Sequence, residues 1–139
     1  MTRPTQYSRF PALTAAQHTP RLRAQFPSFH LARTGRGVCW HGELRPQDDS
    51  PLYRVRIDWC EVKRPRVFVE APTLHPKAPH LYADRSLCLY YPRDESWTRH
   101  KHLANTIVPW TAEWLLFYEL WMETGRWFGP EAPHDRLKK

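Results

Sequence analysis

The most constraining feature of the sequence is a run of large aromatic residues near its C-terminal end. They recur at i, i+4, i+7, i+8 and i+11, the spacing of one face of an α-helix: Trp110, Trp114, Phe117, Tyr118 and Trp121. Pro109 suits the first position of this helix, and Gly125 suits the residue after its end. A helix with such an apolar face must pack against another layer, so we predict a long C-terminal amphipathic helix packed on a sheet.

Three segments in the middle of the chain alternate apolar and polar residues, the pattern of antiparallel strands with one solvated face. The first covers residues 38–44, after a turn marked by Gly35 and Gly37. The second covers residues 53–59, and the third covers residues 66–70. Because the connections between them are short, we predict a three-stranded meander.

A short helix is predicted before these strands. Thr19 followed by Pro20 is typical of an N-cap and a first helical residue, which indicates a helix over about residues 20–26, preceded by another turn. All elements together predict an α+β fold: an antiparallel β-meander with an N-terminal helix, a long Cys-bearing loop and a long C-terminal amphipathic helix.

The length of 139 residues suits one domain. We therefore treat residues 1–139 as a single domain, with residues 1–10 as a flexible arm and residues 130–139 as a tail. No stretch approaches the roughly 18 apolar residues of a membrane helix, and the N-terminus lacks the apolar region of a signal peptide. Three cysteines without a CxxC pair fit a reducing compartment, so we predict a cytoplasmic protein with no membrane contact.

The chain is basic, with a formal net charge of +7 and an isoelectric point near 9.7. Such a charge favours an acidic partner, which can be nucleic acid, an anionic surface or the negative face of a protein. The basic residues are scattered along the chain and form no run of five or more, which is typical of a solvated surface. We therefore do not expect nucleic acid as a partner.

The segment from Ala71 to Trp97 is rich in proline and histidine and has little periodicity, which predicts a long irregular loop. Such loops in small domains are usually functional. This loop carries Cys88, whereas Cys39 and Cys60 lie on or beside predicted strands and are interpreted as packing or edge residues. Only a thiol is both a good nucleophile and the source of an ester able to acylate an amine, so Cys88 is the candidate nucleophile.

The sequence around Cys88 resembles the active-site stretch of ubiquitin-conjugating enzymes. That family has a His-Pro-Asn tripeptide, then a Tyr-Ser-Asp-Gly-Ser-Ile-Cys-Leu run and a downstream tryptophan. This chain has Ala-Pro-His at 78–80, Tyr-Ala-Asp-Arg-Ser-Leu-Cys-Leu at 82–89 and Trp97. Pro79 and Asp84 match the family residues at their positions, and Pro-Arg-Val at 65–67 matches the family's Pro-Lys-Val. The order of elements along almost the whole chain also agrees.

The resemblance is closer to stand-alone conjugating-type proteins of bacterial CBASS anti-phage operons. The matching parts are Leu-Cys-Leu-Tyr at 87–90, Trp97, Ile-Val-Pro-Trp at 107–110 and the Trp-Leu…Tyr-Glu…Trp helix at 114–121. It implies a thioester between Cys88 and the C-terminal tail of a cGAS/DncV-like nucleotidyltransferase, passed on to an amine or another acceptor. The chain has no Gly-rich phosphate loop, so activation of that tail requires a separate activating enzyme or an already activated substrate.

The resemblance also assigns expected roles to residues near Cys88. His80 stands where the family has the asparagine implicated in stabilising the oxyanion, and a histidine there can still donate a hydrogen bond. Asp84 and Trp97 are expected to shape the loop together with Pro79, while Tyr82 and Tyr90 are expected to line the channel for an extended tail. Five cationic or titratable residues could stabilise the thiolate. They are Arg85, which replaces the family's turn glycine, Arg93, His80, His100 and His102.

Two other functions are compatible with the sequence. One is a Cys-His hydrolase with Cys88 as nucleophile and one of the nearby histidines as base, which requires a close, oriented thiol–imidazole pair. The other is a non-catalytic module of the same fold that binds a protein tail or single-stranded nucleic acid. His75, His80, His100, His102 and Cys88 are zinc-ligand types, but their spacings match no structural zinc pattern, so we predict neither a metal nor a cofactor.

Overall fold

An antiparallel four-stranded sheet and two helices make up the regular structure, in a computed structural model that describes residues 12–35, 37–91 and 96–130. The elements are α1 (Ala15–Gln25), β1 (His30–Thr34), β2 (Gly37–Leu44), β3 (Tyr53–Asp58), β4 (Arg66–Ala71) and α2 (Ile107–Thr124), with a 3₁₀ turn at Leu103–Asn105. The strands pair in chain order. The predicted α+β class, the meander and both helices are confirmed. The predicted arm at 1–10 and the tail beyond Pro130 lie outside the described residues.

The sheet has one strand more than the sequence indicated. β1 pairs antiparallel with β2, placing Leu31 opposite Trp40 and Arg33 opposite Val38. The glycines that were predicted to mark a turn before the sheet therefore lie at the turn that joins its first two strands, where Gly37 has φ +128. β1 is mostly exposed and alternates weakly, because an edge strand is held by its hydrogen-bond ladder more than by burial.

The prediction for α1 agrees with the structure at the end of the helix, to within one residue, and is wrong at its start. The helix begins five residues before Pro20 and is capped by Thr14, whose side-chain oxygen accepts from the Gln17 amide while the Gln17 side chain accepts from the Thr14 amide. Two reciprocal bonds of this kind satisfy amides at a helix start. Burial of His18 and Leu22 adds tertiary contacts that keep Pro20 inside the helix despite its missing N–H.

Helix α2 agrees with the sequence at its end and differs at its start. Gly125 follows it in the left-handed conformation, at φ 77, and its N–H bonds the Trp121 carbonyl, as predicted. The start is Ile107, so Pro109 is the third helical residue; the first amides of a helix have no partner within it, and the proline therefore costs no bond. The deeply buried face of α2 is partly aliphatic: Ile107, Val108, Thr111, Trp114, Leu115 and Tyr118.

One core joins the inner face of the sheet to both helices and to the Cys-bearing loop. Trp40, Ile57 and Val67 of the sheet, Leu22 of α1 and Leu115 of α2 are all at most 2% exposed. Gly42 of β2 lies under the Phe29 ring, where an added Cβ would meet ring carbons at 2.3 Å. None of the described helices is long and apolar enough to cross a membrane.

The core also contains a histidine. His18 is 1% exposed, its ring lies 5.1 Å from that of Trp59, and its Nδ1 accepts from the Leu103 amide at 3.3 Å. Burial, with a smaller effect from His102, lowers the pKa of His18 from 6.5 to about 4. His18 is therefore neutral in the folded protein, and a charged form would lack the solvation that it has in the unfolded chain.

We expect this histidine to make the protein acid-sensitive. Between the folded and unfolded pKa values only the unfolded chain binds the proton, so acidification from about pH 7 to about pH 5 should lower the free energy of unfolding by about 2 kcal/mol. Denaturant unfolding at several pH values measures this. His18→Gln keeps an acceptor for the Leu103 amide but does not titrate, so it should flatten the slope; an unchanged slope would contradict the assignment.

Candidate active site

The loop that follows β4, residues 75–91, is held against the sheet by main-chain hydrogen bonds. The Leu87 amide bonds the Val67 carbonyl of β4 at 2.9 Å, and Leu87 also forms an isolated antiparallel bridge with Leu81. Between these two leucines the chain turns, with the Tyr82 amide bonded to the Ser86 carbonyl at 2.9 Å. We call residues 75–91 the cysteine loop. Although it is irregular, its backbone geometry is fixed by the sheet.

Cys88 directly follows the two most buried residues of this turn. Ser86 is 1% exposed and Leu87 is 4% exposed, whereas Cys88 is only partly buried. Its amide bonds the His80 carbonyl at 2.9 Å, which continues the bridge between the two arms of the turn. All three cysteines of the chain are reduced thiols. The structure thus holds the main chain of Cys88 in place and leaves its side chain within reach of solvent.

His80 lies beside Cys88 through its main chain. It has φ 58, a left-handed conformation that asparagine, aspartate and histidine adopt more readily than other residues with a Cβ. Its carbonyl accepts from two donors, the Cys88 amide and the indole Nε1 of Trp114 at 3.2 Å. Its ring packs against Trp127, with 4.6 Å between ring centroids.

A row of aromatic side chains on α2 contacts the first residues of the cysteine loop. Trp114 and Tyr118 stack with 5.5 Å between centroids, and Trp121 continues the stack at 6.1 Å from Tyr118. The Tyr118 hydroxyl accepts from the His75 amide at 2.8 Å, and the His75 ring packs on Trp121. The stripe that the sequence predicted as core therefore also positions the start of the cysteine loop.

Asp84 organises the tip of the turn. Its carboxylate accepts from the Ser86 amide at 2.9 Å, from the Ser86 hydroxyl and from the Arg66 guanidinium at 2.6 Å. Burial alone would raise the pKa of this carboxyl, but the hydrogen bonds from Ser86 and Arg66 outweigh it and lower the pKa of Asp84. These contacts are compatible with the loop-shaping role expected of Asp84, which stays a prediction. The Tyr82 ring lies under the Arg64 guanidinium, at 4.4 Å from the ring centroid.

Comparison with protein families gives a match to the type II CBASS E2 protein over residues 18–135. The match covers most of α1, the sheet, the cysteine loop and α2. The chain belongs to the type II CBASS E2 family. A comparison with curated proteins gave no match. Family membership assigns this chain an E2-like conjugation role in CBASS antiviral defence, with a protein as its partner, and confirms the resemblance found in the sequence.

Two of the cations that were considered for tuning the thiol of this CBASS E2, Arg85 and His102, have other described contacts. The Arg85 guanidinium donates to the carbonyls of Pro76 and His75, at 3.2 and 3.3 Å. The His102 ring lies 5.8 Å from that of His18, and burial, followed by the charge of Arg21, lowers the pKa of His102. The thiol-tuning role of His102 stays a prediction.

The remaining predicted residues fall into different environments. Pro79 is half-buried next to His80, and Trp97 is 7% exposed within the core, as a loop-shaping role requires. Tyr90 packs against Trp110 of α2, with 5.6 Å between centroids. His100 is partly buried in the segment after Trp97. Arg93 lies outside the described residues.

The histidines considered for zinc are spread over separate aromatic contacts. His75 packs on Trp121, His80 packs on Trp127, and His102 packs against His18. Within the described residues, no group of three or more His, Cys, Asp or Glu side chains is placed to hold a metal ion.

Trp114 and Trp127 are the site residues whose role the sequence did not reveal. Trp114 was predicted as core, yet it also donates to the carbonyl beside Cys88. Trp127 lies beyond the end of α2, and its ring contacts both His80 and Trp114. Clustering of aromatic residues after the helix stop was the available signal, but it carries no information about which loop they contact.

Proposed function

We propose that this CBASS E2 protein carries an activated protein tail as a thioester on Cys88 and transfers it to an amine or another acceptor. The tail that fits best is the C-terminus of a cGAS/DncV-like nucleotidyltransferase, as the sequence resemblance implies. The observation that carries the proposal is the contrast within one short turn, where Ser86 and Leu87 are buried and Cys88 is only partly buried. An inert core cysteine would be buried with its neighbours.

In the proposed chemistry, the main task of the protein is to position the Cys88 thiol. The Cys88 sulfur bonds the activated carbonyl carbon of the tail, and the bond between that carbon and its activating group breaks. The leaving group, which is the thiol of the activating enzyme or the activating group of the donor, takes up the thiol proton directly or through solvent. The resulting thioester acylates the acceptor amine and regenerates the thiol. A main chain fixed by bonds to β4 and His80 lets the thiol meet both reactants in one geometry.

Aromatic side chains next to Cys88 offer a path for an extended tail. Tyr90, two residues after Cys88, packs against Trp110, and His80, whose carbonyl bonds the Cys88 amide, packs against Trp127. Such rings bury large apolar areas at low entropic cost, which suits recognition of a peptide without regular structure.

We expect His80 to act through its backbone conformation as well as through its ring. His80→Asn keeps a side-chain donor and a residue that tolerates the left-handed region, so the transfer rate should change only a few-fold. His80→Ala loses the donor and adds conformational strain, and removal of one oxyanion donor typically costs about 10²–10³-fold in rate. Single-turnover transfer from the loaded protein measures both. Equal rates for the alanine and asparagine variants would contradict an oxyanion role.

Intact-mass analysis of the protein co-expressed with its operon neighbours tests the proposed function. We expect an added mass equal to a neighbouring protein, lost on treatment with a thiol reductant at neutral pH, because thiols exchange with thioesters. If no reductant-sensitive adduct forms while the neighbours are present and intact, Cys88 does not form a thioester and the binding-module interpretation gains support.

A further inference from the structure

The outer, solvated face of the sheet carries a second cysteine with a close histidine partner. The Cys39 sulfur lies 3.5 Å from Nε2 of His41, and Nδ1 of His41 lies 3.0 Å from a carboxylate oxygen of Glu70. Cys39 and His41 are two residues apart on β2, so their side chains share one face of the strand. Glu70 reaches them from β4, across β3.

Arg56 of β3 holds the carboxylate of this group. Its Nη1 donates to the second oxygen of Glu70 at 3.2 Å, and its Nε donates to Asp58 at 2.8 Å. One carboxylate oxygen of Glu70 thus faces Arg56, and the other is placed to accept the Nδ1 proton of His41 in a hydrogen bond. With the proton on Nδ1, Nε2 is left as an acceptor that faces the Cys39 thiol. Stacking of the His30 ring on His41, at 5.9 Å, restricts the imidazole further.

We propose that Cys39, His41 and Glu70 form a second nucleophilic site, which accepts small acyl groups from esters or thioesters. The three side chains line a groove of about 560 Å³ together with Asp58 and Trp59, a volume within the range of small-molecule sites. Cys39 itself is 3% exposed, which restricts the donor to small compounds. This site lies apart from the cysteine loop and is independent of the function proposed for Cys88.

The arrangement supplies the base that such a thiol needs. Burial raises the pKa of Cys39, and the carboxylates of Asp58 and Glu70 raise it further, although Arg56 opposes them. The resting group is thus a protonated thiol, which reacts well only when a neighbouring base removes its proton. His41 is in position to do so, and Glu70 stabilises the imidazolium that results.

Acyl transfer at this site needs only the acyl donor and water. The sulfur of Cys39 bonds the carbonyl carbon of the donor while its proton moves to Nε2 of His41. The carbon–oxygen or carbon–sulfur bond of the donor then breaks, and the leaving alcohol or thiol takes that proton. Water attacks the acyl-Cys39 in the same way, which releases a carboxylic acid and restores the thiol.

The test uses the full-length protein with Cys60→Ser and Cys88→Ser, so that Cys39 is the remaining thiol, and p-nitrophenyl acetate as the acyl donor. We expect an initial burst of one equivalent of nitrophenolate, followed by slower release as water hydrolyses the acyl group, and one acetyl group on Cys39 by peptide mapping of a sample quenched with acid after the burst. The burst should be faster than acylation of the same chain unfolded in guanidinium. His41→Gln should slow acylation by about 10²-fold or more, and Glu70→Gln should slow it less. Both substitutions lie on the solvated face, and thermal unfolding confirms that each variant is folded.

A rate no faster than that of the unfolded chain would overturn the proposal, because Cys39 would then be a packing residue. An unchanged rate in the folded His41→Gln variant would overturn it as well. Since Cys88 is absent from the tested protein, neither outcome bears on the thioester proposed for that residue.

Discussion

Replacing Cys88 by serine is expected to abolish the reductant-sensitive adduct completely. A serine hydroxyl at this position is a much weaker nucleophile, and any ester that it forms resists thiols because an oxyester exchanges with them far more slowly than a thioester does. We therefore expect either no adduct or one that persists in reductant and is cleaved by strong base. Intact-mass analysis of the co-expressed protein distinguishes these products.

Cys60 offers a matched control within the same chain. It is also a partly buried, reduced thiol, but it lies in the turn after β3 rather than in the cysteine loop. Hydrogen bonds from the amides of Val62 and Lys63 outweigh the effect of desolvation and lower the pKa of Cys60. Cys60 therefore tests whether a lowered thiol pKa is enough, outside the cysteine loop, for a cysteine to form the adduct. Cys60→Ser should leave the adduct unchanged. A reductant-sensitive adduct that still forms in the Cys88→Ser variant would show that the reactive thiol is a different cysteine.

Replacing Trp114 by alanine is expected to lower the free energy of unfolding by about 3–5 kcal/mol, the usual cost of deleting a buried large aromatic side chain. Trp114 is 4% exposed, stacks on Tyr118 and packs at a tilt against Trp127. It is also the donor to the His80 carbonyl, so the substitution should loosen the cysteine loop as well as the core. Denaturant unfolding measures the first effect, and hydrogen exchange of the Cys88 amide measures the second.

Two variants separate packing from the hydrogen bond. Trp114→Phe keeps an aromatic ring but loses the indole N–H, so beyond the cost of the smaller ring it should lose about 1 kcal/mol for that bond. Trp110→Ala removes a half-buried tryptophan from the same helix and should cost less than Trp114→Ala. If Trp114→Ala destabilises the protein without changing exchange at Cys88, α2 does not position the cysteine loop.

The sequence predicted most of the regular structure, and its errors have local causes. The stripe of α2 and the stop at Gly125 were recognisable because periodicity and a left-handed glycine are properties of neighbouring residues. β1 was missed because an exposed edge strand carries little alternation. The start of α1 was placed too late because Pro20 resembles a helix start, whereas the capping box at Thr14 and the burial of Leu22 determine the real one.

In the candidate site, too, some features were predictable from neighbouring residues and others were not. The motif around Cys88 is contiguous, so the sequence alone identified the family, which the family match confirms. The assignment of Cys88 as the reactive thiol stays a prediction. Only the tertiary structure decided that the His80 carbonyl is shared between Cys88 and Trp114, and that Glu70 reaches His41 beside Cys39. These pairs lie about thirty residues apart, at 34 and 29 positions. Contacts of that kind depend on how sheet and helix pack, which no local pattern of residues encodes.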